Sequence, residues 1–185
     1  MMKKGKTAGI FVAAALAACM LGGCANALQD GTRALENGQY EEARDIFETA
    51  AEQEDGEKSA EAYRGLGMAY YEMEEYGSAM KAFQTALDRG AGQTVQIYNL
   101  MGICAMNVAD YESALEYFQS GLALADTESE GETDTDLIRE MRYNEIVCCE
   151  RTADWESAKQ KAAEYLQDYP GDEAVEKEAE FLETR

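Results

Sequence analysis

Ala109-Asp110-Tyr111-Glu112-Ser113-Ala114 returns almost unchanged as Ala153-Asp154-Trp155-Glu156-Ser157-Ala158. Two looser copies stand earlier, as Gly38-Gln39-Tyr40-Glu41-Glu42-Ala43 and Glu74-Glu75-Tyr76-Gly77-Ser78-Ala79. Their closing alanines fall at 43, 79, 114 and 158, at intervals of 36, 35 and 44 residues. Gly31, Gly67 and Gly102 step by 36 and 35 in register with them. Two independent markers sharing one period indicate stacked units, each unable to bury its apolar face alone.

Within a unit the apolar spacing is helical. Tyr63, Leu66, Gly67 and Tyr70 share one face of a first helix, and Ala79, Phe83 and Ala86 share one face of a second. A glycine inside a helix costs about 1 kcal/mol relative to alanine, so Gly67 is expected where two helices approach closely. Asp110 and Asp154 precede the second helices and suit helix N-termini. Proline occurs once and helix formers dominate, which predicts an all-helical chain.

These markers resemble the tetratricopeptide repeat. The second unit carries the pattern best, with Tyr63, Leu66-Gly67, Tyr70, Ala79, Phe83 and Ala86. The third has Tyr98, Met101-Gly102, Ala114, Phe118 and Gly121, with Ala105 in place of the tyrosine. The first keeps Gly31, Tyr40, Ala43, Phe47 and Ala50. The fourth departs most: Ile146 replaces the glycine, Cys149 the tyrosine and Ala162 the phenylalanine, while Trp155, Ala158 and Pro170 remain. The resemblance runs from about residue 28 to residue 170. It implies an all-α, right-handed solenoid of about four helix–turn–helix hairpins: 24–57 with a truncated first helix, 60–93, 95–128 and a degenerate 139–171. The acidic stretch 129–138 is expected as a solvated linker, since it lacks the alternating carboxylate spacing of a calcium loop. Residues 172–185 are expected as a capping helix with a polar outer face.

Ahead of the repeats, Lys3, Lys4 and Lys6 precede an apolar run from Gly9 to Leu21. A positive start and a short apolar core read as a secretion segment, residues 1–23, and not as a bilayer span of about 20 residues. The run ends in Leu21-Gly22-Gly23-Cys24, which resembles the lipobox of bacterial lipoproteins. That resemblance implies an acylated Cys24 as first mature residue and a lipid anchor in the cell membrane, on its extracytoplasmic side.

Composition narrows the chemistry. Removing the three leader lysines leaves 13 basic and 37 acidic side chains, a net charge of −24. Such a surface repels phosphate backbones, so nucleic acid is not expected as a partner. Histidine is absent, which removes the commonest general base and metal ligand. No nucleophile–base pair or phosphate-cradling loop appears, so the chain is not expected to be an enzyme or to need a cofactor, metal or small-molecule substrate. Cys104, Cys148 and Cys149 leave an odd number of thiols besides Cys24, and buried free thiols are expected.

The resemblance further implies that the first helices line a concave groove holding a peptide. Arg64, Met68 and Tyr71 lie at i, i+4 and i+7, away from the core set, and the matching trios are Asn99, Ile103, Met106 and Tyr143, Val147, Glu150. Methionine adapts to irregular partners, and tyrosine and arginine are frequent anchors. Arg64 is the only basic member of these trios, which disfavours capture of a C-terminal carboxylate by several basic residues. The expected function is a lipid-anchored scaffold binding a segment of another, envelope-associated protein. The alternative is a structural assembly factor of an envelope complex such as a pilus or secretion machine.

Overall fold

The computed structural model describes residues 24–127 and 134–185; the leader 1–23 and residues 128–133, at the start of the acidic stretch, lie outside the described residues. Among the described residues there are nine helices and no strand. In chain order they are α1 Cys24–Glu36, α2 Tyr40–Gln53, α3 Gly56–Glu72, α4 Tyr76–Asp88, α5 Val95–Asn107, α6 Tyr111–Ala125, α7 Thr135–Arg151, α8 Trp155–Asp168 and α9 Glu173–Leu182. The first eight form four hairpins stacked in sequence, and α9 packs on α8.

One turn closes every hairpin. Gly38, Glu74, Ala109 and Ala153 take φ of 73°, 60°, 60° and 59°. The amide of each bonds three residues back and the next amide bonds five residues back, as in Ala109 N to Met106 O and Asp110 N to Ala105 O. This is a Schellman ending repeated four times, and it satisfies the last carbonyls of each first helix. Asp110 and Asp154 then accept from the amides of Ser113 and Ser157, each at 3.2 Å, so the same residue ends one turn and caps the next helix.

The period-setting glycines sit under aromatic rings. A Cβ built on Gly67 would lie 2.6 Å from the Phe83 ring, and one on Gly102 would lie 2.5 Å from that of Phe118. Phe47 is held between Gly31 of its own hairpin and Gly65 of the next, where added Cβ atoms would stand 2.7 and 2.4 Å away. Phe83 and Phe118 are fully buried and Phe47 nearly so. The fourth hairpin exchanges the sizes: Ile146 stands at the glycine position, Ala162 at the phenylalanine position, and both are fully buried in one cluster. The large and small partners have traded helices, which preserves the summed volume.

Glu145 occupies the place that Leu66 and Met101 hold in the earlier hairpins. It is 7 % exposed and accepts from Lys161 Nζ at 2.5 Å, so its buried charge is paired. The terminal helix α9 buries Val175 and Leu182 against Ile146 and Cys149 and turns Glu173, Glu176, Lys177 and Glu180 outward, as a cap requires.

Helix α1 has 13 residues, as many as α5 and four fewer than α3 and α7. Two boundaries differ from the sequence-based expectation. Helix α3 starts at Gly56 and not at 60. Helix α7 starts at Thr135, inside the stretch assigned to the linker 129–138, because Asp134 accepts from the amide of Asp136 at 2.9 Å and caps it.

Candidate binding groove

Two pairs of first helices touch, α1 with α3 and α5 with α7, and among the described residues the second helices make no comparable contact. The first helices therefore form the more closely packed row, the inner face of the stack. On that side a depression of about 420 Å³ opens between α3, α5, α6 and α7.

Tyr71, Ile103, Met106 and Val147, four of the eight expected groove residues, meet in this depression although they come from three successive hairpins. They are half-buried and stand among five polar or charged lining residues. Tyr71 stands edge-on to Tyr76, with ring centroids 6.0 Å apart. Burial, with smaller contributions from Cys104, Tyr76, Glu72 and Glu140, raises the Tyr71 hydroxyl above its ordinary range, so it remains a neutral donor.

The other four are not part of it. Arg64, whose guanidinium binds Glu61 on its own helix at 2.5 Å, is exposed, as are Met68 at 40 % and Tyr143 at 41 %. These three border the inner face without joining the depression. Asn99 is only 6 % exposed, and its Oδ1 is buried with no hydrogen-bond donor. It cannot serve as the open polar contact expected of it, because α5 turns it into the packed interior. Cys24 is the first residue of α1.

Five lining residues were not singled out from the sequence: Asn107, Tyr111, Glu140, Asn144 and Arg151. Glu140, Asn144, Val147 and Arg151 follow i, i+4, i+7 and i+11 along α7, so the same periodicity rule started three residues earlier finds them. Tyr111 belongs to a second helix, and only the fold brings it in. The Arg151 guanidinium lies 5.8 Å from the Tyr111 ring centroid, a cation–π contact. Asn107 Nδ2 donates to the Ile103 carbonyl at 2.9 Å, which ties its side chain to the rim.

Two further clefts lie elsewhere on the stack. One of about 290 Å³ between α6, α7 and α8 contains Arg142, Glu145 and Lys161, whose charges are already engaged through the Arg142–Asp168 and Lys161–Glu145 pairs. A shallow ledge on α1 and α2 carries Asp30, Glu41, Glu42 and Asp45 beside Ile46. Among the described residues no group of His, Cys, Asp and Glu is arranged to hold a metal ion, and no helix is long and apolar enough to cross a membrane. Cys104, Cys148 and Cys149 are free and buried, and burial pushes the Cys104 and Cys148 thiols up to about 12.

Comparison with known proteins finds the same fold. The tetratricopeptide repeat family pattern matches residues 28–94. No curated protein matches the chain. Among solved structures, YrrB, described as a tetratricopeptide-repeat protein with an unusual peptide-binding site, is 19 % identical, with 86 % of this chain and 75 % of that one covered and a TM-score of 0.69. MamA from Desulfovibrio magneticus RS-1 is 15 % identical, covering 88 % of this chain and 84 % of that one at a TM-score of 0.68. A tetratricopeptide repeat protein from Parabacteroides merdae is 14 % identical over 85 % of this chain and 57 % of that one, at a TM-score of 0.60. The family pattern covers residues 28–94, and the likeness to solved repeat structures over most of the chain shows the same all-helical solenoid fold.

Proposed function

We propose that the chain is a lipid-anchored extracytoplasmic scaffold that holds a peptide segment of another envelope protein on the inner face of its helical stack. The observation that carries the reading is the meeting of Tyr71, Ile103, Met106 and Val147 in one depression. Three hairpins each contribute an aromatic or aliphatic side chain to one depression there, among polar and charged neighbours that can orient a partner. Tyrosine and methionine supply contact area that adapts to a partner, and the flanking amides and charges give it orientation. Anchoring rests on the positive start, the short apolar run and Leu21-Gly22-Gly23-Cys24. Only a few residues separate Cys24 from the start of the repeat resemblance near residue 28, which favours a partner that is itself held at the membrane.

A photo-crosslinking residue introduced at position 71 in native membranes is expected to trap one dominant partner. The adduct should disappear when Ile103→Asp and Val147→Asp are added to a chain that still folds by circular dichroism. An undiminished adduct would show that the groove is placed on the wrong residues. For the anchor, intact mass of the membrane fraction should show acylated Cys24; a water-soluble product beginning at another residue would sink that part.

A further inference from the structure

The groove has two unlike ends. Glu140 and Arg151 stand at the two ends of the α7 stretch that lines it, and Arg151 lies over Tyr111. Both charges are exposed, and neither takes part in an ion pair among the described residues. They lie on one stripe of α7, with Val147 and the amide of Asn144 between them. Eleven residues at about 1.5 Å per residue separate them by roughly 16 Å, and an extended chain at about 3.3 Å per residue covers that distance in five residues.

We infer that the groove reads charge order: it selects extended segments in which a basic and an acidic side chain stand five residues apart with a large apolar side chain between them. The basic group faces Glu140, the acidic group faces Arg151, and the apolar side chain enters the floor of Ile103, Met106 and Val147. An extended occupant is favoured over a helical one because Asn107 and Asn144 present amide groups to the groove. Only an extended main chain has N–H and C=O groups free to meet them. Opposite charges at the two ends penalise the wrong order by like-charge contact as well as rewarding the right one. This inference rests on the groove reading above and adds to it the chemistry of the ligand.

The test uses the full chain and a random twelve-residue displayed peptide library, followed by anisotropy titration of synthetic winners. Enriched peptides are expected to carry Lys or Arg and Asp or Glu five residues apart around a Leu, Met or aromatic residue. E140R or R151E should each weaken binding about fivefold or more, given the size of exposed ion pairs and the added repulsion. The double variant E140R/R151E should recover binding when the peptide's two charges are exchanged. If winners are lost with V147D or M106D but ignore E140R and R151E, the charge-order inference fails and the groove reading stands. If they also ignore V147D and M106D, or if nothing is enriched, both fail.

Discussion

Glu74, Ala109 and Ala153 hold the left-handed backbone that the first hairpin assigns to Gly38. A Cβ in that region costs about 1–2 kcal/mol, part of which is returned when glycine loosens the unfolded chain. Ala109→Gly with Ala153→Gly should therefore stabilise the fold by about 1 kcal/mol, raising the thermal midpoint by roughly 3 °C. Gly38→Ala should lower it. A fall in midpoint for the double glycine variant would refute the strain account. The helix glycines behave oppositely. Gly67→Ala and Gly102→Ala gain about 1 kcal/mol of helix propensity but drive a methyl into a phenyl ring, and overpacking of that kind costs about 1–3 kcal/mol. Net loss is expected in urea denaturation. A Cβ added at Gly77 in α4 would meet nothing within 4 Å, so Gly77→Ala should stabilise by up to about 1 kcal/mol.

At the scale of elements, α9 is held by groups that titrate in opposite senses. Glu150 on α7 has a buried Oε1 with no donor and faces Glu178 on α9. Desolvation first, then the neighbouring carboxyl, pushes Glu150 up from its ordinary 4.5 to about 7. Its contribution is thus complete below about 4.5, where the unfolded chain is protonated too, and is lost as pH rises through 7. Asp172, at the N-terminus of α9, is held near 2 by hydrogen bonds from Arg139 and Tyr165. Its contribution is complete above the ordinary 3.8 and is lost as pH falls through 2. Docking of α9 should be firmest between about pH 4 and 6 and weaken above 7. Hydrogen-exchange protection factors of the α9 amides should drop between pH 5 and pH 8, and Glu178→Gln should flatten that drop, since the amide donates at either pH. Equal protection of the unaltered chain at both values would disprove the shared-proton contact. Elements are also where the sequence is both most and least legible. The glycine and alanine periods locate every hairpin, because packing forces small residues to recur. The start of α7 is hidden, because Thr135 and Asp136 look like solvated linker until Asp134 is seen to cap them. The fourth hairpin looks degenerate, because the exchange of Ile146 for glycine and Ala162 for phenylalanine only shows as compensation once the two face each other.

Across the whole molecule, the helical period fixes which face of each first helix turns inward but not which members of that face converge. Convergence depends on the rotation from hairpin to hairpin, and that rotation joins Tyr71 with Val147 while leaving Arg64, Met68 and Tyr143 aside and burying Asn99. The same stacking seals the thiols. Cys104, Cys148 and Cys149 lie in clusters shared between helices, with their thiols shifted toward the inert form by burial. In a Cys19→Ser, Cys24→Ser chain they should stay unreactive to a thiol-exchange reagent under native conditions. Labelling is expected at the rate of global or subglobal opening and in full in denaturant. Rapid native labelling of any of the three would mean that the stack is far looser than its packing indicates.

The contacts of Phe47, Phe83 and Phe118 with glycine have a further consequence. Each ring is a shim of fixed thickness: Phe83 and Phe118 set the spacing inside the second and third hairpins, and Phe47 also reaches Gly65 of the hairpin after its own. Those spacings fix where α3 and α5 stand, and with them Tyr71, Ile103 and Met106. Residues that never meet the partner therefore hold the caliper setting for the ones that do.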